Sequence, residues 1–200
     1  MVRFRTIFMT LVFLVASGHT IDAQEVVCPA GSPLNYPQYR VDADVNYLAH
    51  TVDVRQTVMY TNRTGEVLED LLFNVEANRW FDAFQLRVLD GPGGNPEWEL
   101  DAKRLLVTLN EPLAPGCDTW VVLEFRLNVP LIGDGVYAPD GFLGYTPRQM
   151  NLGHWLPTVA VRAGDEWASR EAVFIGEQEI LEVADWDVTI NLQGASPTNM

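Results

Sequence analysis

The sequence is poor in the residues that most often carry enzyme chemistry. Its 200 residues include two cysteines, three histidines and a single lysine, Lys103. It has no Gly-x-Ser-x-Gly nucleophile elbow and no glycine-rich phosphate loop. The familiar ligand spacings of zinc sites are also absent, which argues against a metal site built from His50, His154 and the cysteines. The sequence therefore predicts no catalytic residue, no metal ligand and no cofactor within this chain.

Basic residues are scarce, and this bears on the class of partner. The chain has 13 Lys and Arg residues against 27 Asp and Glu, and its formal net charge is −14. Binding to nucleic acid depends on basic patches that contact phosphates, so nucleic acid is excluded as a partner. The acidic residues are spread along the chain, as expected of a solvated surface.

Long apolar runs are missing too. The longest, Ile7 to Ala16, is well short of the roughly 20 residues that span a bilayer. It follows Arg3 and Arg5 and precedes a small residue, Ala23, which together are typical of a secretory signal peptide over residues 1–23. A retained membrane anchor is the alternative, and no later segment could cross a membrane. We therefore expect a secreted, periplasmic or extracellular protein, with an extended lead-in at residues 24–37.

Export would place the two cysteines in an oxidising compartment. A disulfide between Cys28 and Cys117 is then possible. The alternative is two free cysteines, one in a flexible lead-in and one in the turn that ends at Cys117. The sequence leaves both open.

What the chain does have is alternation of apolar and polar residues at the spacing of β-strands. The longest example places Val121, Leu123, Phe125, Leu127 and Val129 on one predicted inward face. Shorter examples begin at Tyr39, Val52, Leu71, Leu86 and Leu105. A final example near the end of the chain predicts an inward face of Trp186, Val188, Ile190 and Leu192. The predicted fold is all-β, an antiparallel β-sandwich or a saddle-shaped curved sheet, in one domain over residues 38–200.

Two features suggest surface functions but have simpler explanations. The chain has six tryptophans, and exposed ones stack on sugars or grip partner surfaces, although most are expected to fill the core. Asn62-Arg63-Thr64 has the form of a glycosylation sequon, although a hairpin turn accounts for it equally well.

A series of short motifs resembles the N-terminal β domain of the aminopeptidase N family of zinc metallopeptidases, which are gluzincins. The series runs through Tyr39-x-Val41, Val58-x-Tyr60-x-Asn62-x-Thr64-Gly65, Leu71-x-Phe73-x-Val75, Leu113-x-Pro115-Gly116, Trp155-x-Pro157 and Ala184-Asp185-x-Asp187-Val188. The resemblance covers most of the chain after Tyr39.

The resemblance implies a β domain that packs against a thermolysin-like catalytic domain and walls the peptide-substrate cleft. Zinc is expected only in that catalytic domain, because the His-Glu-x-x-His and Gly-Ala-Met-Glu-Asn motifs do not occur in this sequence. Residues 145–151 also fail to match the family's amine-binding motif, so no exopeptidase residue carries over. The chain alone is expected to be inactive, a truncated or split form of such an enzyme.

Two hypotheses therefore remain. In the first, the chain docks on a catalytic metallopeptidase domain through a surface near Trp155 and Pro157 and the loop from Leu131 to Met150. In the second, it is a free-standing extracytoplasmic binding or adhesion domain that uses exposed tryptophans. Fold alone does not separate them, because function resides in sites.

Overall fold

The computed structural model of the chain describes Cys28, Leu34 and residues 36–133, 142–169 and 180–194. The predicted signal peptide lies outside these residues. Apart from one turn of 3-10 helix, Glu76–Arg79, the regular structure is β-strand: β1 (Gln38–Asn46), β2 (Thr51–Thr61), β3 (Leu68–Asn74), β4 (Phe84–Asp90), β5 (Glu97–Asp101), β6 (Arg104–Leu113), β7 (Asp118–Asn128), β8 (Leu143–Thr146), β9 (Gln149–Leu152), β10 (Thr158–Val159), β11 (Val161–Ala163), β12 (Glu166–Ala168) and β13 (Asp185–Gln193). Within the described ranges, no helix is long and apolar enough to span a bilayer.

The strands form a large and a small sheet, which confirms the all-β prediction. The large sheet has the order β13-β1-β2-β7-β4, and the small sheet has the order β10-β3-β6-β5. The pairs β8-β9 and β11-β12 form two further small ribbons. The sheets are open rather than closed into a barrel, and buried apolar residues from both main sheets form one core, as in a β-sandwich.

One strand departs from the antiparallel prediction. β13 pairs with β1 in parallel, in an unbroken register from Gln38↔Asp185 to Asn46↔Gln193. Antiparallel neighbours such as β1 and β2 are joined by a short turn, which fixes their direction. β13 follows β1 only after most of the domain, so no tight turn imposes that direction.

The alternation in β7 is confirmed. Val121, Leu123, Phe125, Leu127 and Val129 are all buried at the centre of the sandwich. The inward faces of β1 and β2 are buried in the same way, and Leu71, Phe73, Leu105 and Val107 fill the facing side from the small sheet. A period of two is therefore enough to place the central core residues.

Alternation gave a wrong orientation in β4. The sequence predicts that Leu86 and Val88 point inward together, but Val88 is 39% exposed and Leu89 is buried instead. The cause is a register shift against β7 between Leu86 and Val88. An extra residue at a bulge reverses the alternation of every residue that follows it.

The apparent sequon at Asn62 is part of the core. The Asn62 side chain is fully buried, and its Nδ2 donates to the carbonyl oxygens of Glu66 and Leu113 at 2.7 and 2.8 Å. Its Oδ1 accepts from the Thr64 amide and hydroxyl. These bonds hold the turn after β2 in place and leave no room for a sugar, so the turn explanation of the motif is the correct one.

Cys28 and Cys117 are joined by a disulfide whose Cα atoms lie 5.2 Å apart. The bond fastens the lead-in to the turn before β7, close to Leu34, whose amide donates to Thr61 Oγ1 at 3.1 Å. The closed loop spans 89 positions of sequence. The disulfide therefore restricts much of the unfolded chain.

We expect the Cys28→Ser/Cys117→Ser variant to lose about 4 kcal/mol of unfolding free energy, because a loop of this length gives about that value in the chain-entropy model. Urea unfolding monitored by tryptophan fluorescence measures the loss. Reduction of the wild-type chain with dithiothreitol is the control and should lower stability to the same level. An unchanged unfolding midpoint in the double variant would contradict the expectation.

We expect Phe125→Ala to lower the unfolding free energy by about 3–5 kcal/mol, since it removes a ring from the centre of the core. The matched variant, Arg126→Ala, loses an ion pair with Asp53 in which both side chains remain more than a third exposed. Its cost should be much smaller than that of Phe125→Ala, because exposed ion pairs contribute little to stability. Equal costs at the two neighbouring positions, in the same unfolding experiment, would contradict the alternation in β7.

Candidate functional site

A cleft of about 260 Å³ lies between the end of β3, the segment before β10 and the segment that leads into β13. Its apolar wall is formed by Leu152, Trp155, Leu156, Ala168, Ile180, Leu181 and Trp186, and its polar wall by Asn74, Glu76, Lys103, His154 and Thr158. We call it the Trp155 cleft. Its mixture of aromatic and polar groups suits a polypeptide surface or a small amphipathic ligand.

A buried ion pair forms part of the polar wall. Lys103 Nζ donates to Glu76 Oε1 at 2.7 Å, and the two side chains are 5% and 9% exposed. Arg79 Nη1 approaches Glu76 Oε2 at 3.3 Å. Because the carboxylate is engaged by two cations, it forms a structural part of the polar wall.

The backbone conformation of the turn between β5 and β6 positions Lys103 at the cleft. The turn between β5 and β6 places Ala102 at a φ of 48°, a left-handed conformation that a non-glycine residue adopts only where the surroundings hold it. The carbonyl oxygen of Lys103 accepts from the Val75 amide at 2.7 Å, which ties this turn to the start of the 3-10 helix. Glu76 is the first residue of that helix, so one backbone hydrogen bond brings both charged residues together.

Beside the cleft lies an exposed apolar surface, the β13 face, which consists of Trp186, Val188, Ile190 and Leu192. The sequence predicts that these side chains point into the core, but they are 44%, 43%, 53% and 51% exposed. Their register partners on β1 are Tyr39, Val41, Ala43 and Val45, which are buried. The side chains of the β13 face thus point to the same side of the sheet as their buried partners on β1, as the alternation predicts. They remain exposed because β13 is the edge strand and the residues that bury β1 do not cover it.

Trp186 connects the cleft with the β13 face. Its ring stacks on the Tyr39 ring with centroids 4.1 Å apart and planes 10° from parallel. Ile180, Leu181 and Val183, in the segment that precedes β13, are 45%, 53% and 68% exposed. The apolar surface therefore continues from the cleft onto the edge strand.

The two residues that the sequence nominates for an interdomain surface differ in exposure. Trp155 is half-buried and lines the cleft. Pro157 is buried, and its carbonyl oxygen accepts from Gln56 Nε2 at 2.6 Å. Of the nominated loop, Leu131 is 64% exposed, and residues 134–141 lie outside the described part of the chain. The loop prediction is wrong for the rest of the segment, because β8 and the start of β9 form a paired ribbon there. The docking role of this region stays a prediction, with Trp155 as its accessible residue.

The two histidines in the described part of the chain, His50 and His154, make ring contacts at separate places. His50 stacks on Tyr145 with centroids 3.4 Å apart, and His154 meets Phe142 edge to face at 5.4 Å. The cysteine sulfurs are bonded to each other and have no thiolate to offer a metal. Among the described residues, no group of three or more His, Cys, Asp or Glu side chains is arranged to hold a metal ion.

Sequence reasoning missed the ion pair and the apolar segment before β13. Sequence reasoning assigned no role to the single lysine, Lys103, although its position directly before the Arg104–Leu113 strand is a signal that could have found it. Ile180 and Leu181 follow no strand pattern, so periodicity has no means of detecting them.

No protein-family model matches the chain, and no curated protein matches it. Several solved structures are similar to part of it. An M1 zinc metallopeptidase from Deinococcus radiodurans is 19% identical with a TM-score of 0.44, over 61% of this chain and 28% of that chain. A mutant from the same organism bound to a Tyr-Ser-Ala substrate is 17% identical, also with a TM-score of 0.44, over 62% and 29%.

A two-domain M1 zinc metallopeptidase mutant bound to L-tryptophan is 17% identical with a TM-score of 0.44, over 65% of this chain and 31% of that chain. The chain thus spans less than a third of the length of these structures. The neighbours are M1 zinc metallopeptidases, and the likeness is a partial one of backbone path.

We expect Lys103→Met to lower the unfolding free energy by about 3 kcal/mol, because it leaves the buried Glu76 carboxylate without its main partner. Adding Glu76→Gln to that variant should recover part of the loss, since no uncompensated charge remains. Urea unfolding of the two single variants and the double variant measures the coupling.

The control is Arg55→Met, which breaks the exposed Arg55–Glu124 pair and should cost about 1 kcal/mol or less. Strict additivity of the Lys103 and Glu76 substitutions would show that the two side chains do not depend on each other.

Proposed function

We propose that this chain is a non-catalytic β domain that docks on the catalytic domain of an exported zinc metallopeptidase of the aminopeptidase N type, walls its peptide cleft and supports it. The observation that carries the proposal is the apolar surface formed by the β13 face and the Trp155 cleft. Zinc and the catalytic residues belong, in this proposal, to the partner domain.

The exposed apolar side chains of this surface support a macromolecular partner. Soluble monomers rarely expose contiguous apolar patches beyond a few hundred Å². The β13 face lines up four apolar side chains that are each about half exposed, and Trp186 joins them to the cleft. Covering them would remove apolar area from water at about 25 cal/mol per Å², which is the usual driving force of domain docking.

The location of the surface connects it with the sequence resemblance. Trp155-x-Pro157 and Asp185-x-Asp187-Val188 are the last two motifs of the resembling series. Trp155 lines the cleft, and Val188 belongs to the β13 face. Two segments that resemble the end of a β domain followed by a catalytic domain thus meet at the most apolar exposed surface described above.

The disulfide supports the exported location in this proposal. Disulfides persist in oxidising compartments and are rare in the cytosol. The Cys28–Cys117 bond follows shortly after the predicted signal peptide, and Cys117 is buried. A chain that passes through an oxidising compartment during export would form it.

The test uses a catalytic domain encoded by the same genome and recognised by its His-Glu-x-x-His motif. We expect the chain and this domain to form a complex on size-exclusion chromatography, and the complex to cleave amino-acid anilides. Val188→Asp should abolish the complex, because it puts a charge on the β13 face. Val88→Asp is the matched control, since Val88 is similarly exposed at 39% on the opposite edge strand, and it should leave binding unchanged.

The chain alone should bind no stoichiometric zinc by metal analysis and should cleave no peptide. Equal effects of the two valine substitutions, or a chain that ignores every such catalytic domain, would contradict the docking role. Chelator-sensitive activity of the pure chain would contradict its non-catalytic assignment.

A second candidate is a free-standing glycan-binding or adhesion domain. Its specific support is the exposure of Trp98 and Trp120, which are 48% and 37% exposed on β5 and β7. Exposed indole rings stack on sugar faces. Binding to a glycan array that Trp120→Ala abolishes, in a chain that forms no complex with a catalytic domain, would favour this function.

A further inference from the structure

The four edges of the two main sheets differ in how well they are protected against pairing. In the small sheet, β10 has two residues, and β5 has five residues, of which Glu97, Glu99 and Asp101 are acidic. In the large sheet, β4 is interrupted by its bulge between Leu86 and Val88. Short length, charge and bulges are the usual means by which proteins prevent edge-to-edge association.

β13, the other edge of the large sheet, is less protected, because it is neither short nor bulged and its two charges, Asp185 and Asp187, lie within its first three residues. It is nine residues long, its register with β1 is unbroken, and it contains no lysine, arginine, proline or glycine. All nine residues are exposed. Within the described ranges, its one sheet neighbour is β1.

The backbone direction shows which groups this edge offers. The Asp185 amide donates to the Pro37 carbonyl oxygen, and the Gln193 carbonyl oxygen accepts from the Tyr47 amide, both at 2.9 Å. Residues 185 and 193 therefore direct their backbone groups toward β1. Because the direction alternates along a strand, Trp186, Val188, Ile190 and Leu192 direct their amides and carbonyls to the outer edge.

We propose that this outer edge pairs with the β13 of a second copy of the chain. The two strands run antiparallel, and the two-fold axis passes between the two copies of Thr189. In that register Trp186 faces the partner's Leu192, and Val188 faces the partner's Ile190. These are the residues whose backbone groups point outward, so each pair exchanges two backbone hydrogen bonds. The interface is isologous and closes as a dimer.

Side-chain charges select this register. Asp187 faces the partner's Asn191, and Asp185 faces the partner's Gln193, so each carboxylate meets a side-chain amide. The Asn191 Nδ2 donates one proton to Asp44 Oδ1 of its own chain at 3.1 Å and has a second proton for the partner's carboxylate. No two like charges stand opposite each other. In a parallel in-register pairing every aspartate would face its own copy, and like charges directly opposite are destabilising.

A strand pair contributes a small interface, so the dimer is weak, in the range of transient complexes. Two chains of net charge −14 also repel each other at long range. Association should therefore strengthen as salt screens that repulsion. The pairing uses the backbone edge of β13, whereas the proposed catalytic partner covers the side-chain face, and the inference does not depend on that partner.

Sedimentation velocity of the pure chain, at concentrations up to about 100 µM and at low and high NaCl, tests the proposal in the range of weak interfaces. We expect a concentration-dependent dimer that high NaCl favours. Ile190→Lys should weaken it at least about tenfold, because it places a charge opposite the apolar side chain of the partner's Val188. Val67→Lys is the matched control: Val67 and Ile190 are both 53% exposed, and the charge change is the same.

Asn191→Lys tests the register and keeps the test decisive if Ile190→Lys disturbs folding, which circular dichroism would show. It places a cation opposite the partner's Asp187 twice in each dimer, and should tighten association about fivefold relative to Val67→Lys. Weakening by Asn191→Lys, or equal effects of Ile190→Lys and Val67→Lys, would overturn the register.

A chain that stays monomeric at all concentrations and salt levels would overturn the dimer itself. If hydrogen exchange then shows β13 amides protected only in a complex with the catalytic domain, the edge belongs to that domain. That result would overturn this inference and leave the docking proposal standing.

Discussion

The pairing of β2 with β7 is the interaction on which the rest of the structure depends. The two eleven-residue strands pair over their whole length, from Thr51↔Asn128 to Thr61↔Asp118. β2 carries β1 on its other side, and β7 carries β4. Because β1 in turn carries β13, the edge strand and its apolar face are positioned through this central ladder.

The central ladder also positions the wall of the Trp155 cleft, through two polar side chains of the large sheet. Gln56 of β2 donates from Nε2 to the Pro157 carbonyl oxygen, and Tyr39 of β1 accepts from the Val159 amide at 3.0 Å. Burial, opposed in part by that hydrogen bond, raises the pKa of the Tyr39 hydroxyl well above its usual value. The segment beside Trp155 is thus held by buried polar contacts, which depend on direction and distance more strictly than apolar packing does.

The sequence was sufficient to predict which residues are buried wherever a strand follows the simple alternation of inward and outward side chains. In β7 the period of two places the core residues correctly, because the strand pairs with β2 over its whole length without a register shift. The same rule failed at Val88, where a bulge inserts one residue, and a bulge depends on the partner strand as much as on the strand itself. Periodicity reports which residues share a face, and it does not report where that face changes.

The candidate site was beyond prediction for a related reason. Alternation places Trp186, Val188, Ile190 and Leu192 on the core side of the sheet correctly, but it does not say how far the core extends. Whether a correctly oriented side chain is covered depends on the width of the opposing sheet, which is a property of the assembled fold. The Glu76–Lys103 pair likewise joins residues from two segments, and its formation depends on a turn with a positive φ at Ala102.

The side-chain face and the backbone edge of β13 are two distinct binding surfaces, and different interactions contribute to the binding energy of each. Covering the face removes apolar side chains from water, a contribution that grows with area and tolerates many partner shapes. Pairing the edge satisfies backbone groups, which adds little net energy per bond but fixes direction and register. Since β13 is held by β1 on one side alone among the described strands, each kind of contact also stabilises the strand itself. Binding of a partner to the face therefore raises the affinity of the edge for a second copy, and the reverse holds as well, because both contacts order the same strand. This coupling requires that the two bound molecules do not overlap.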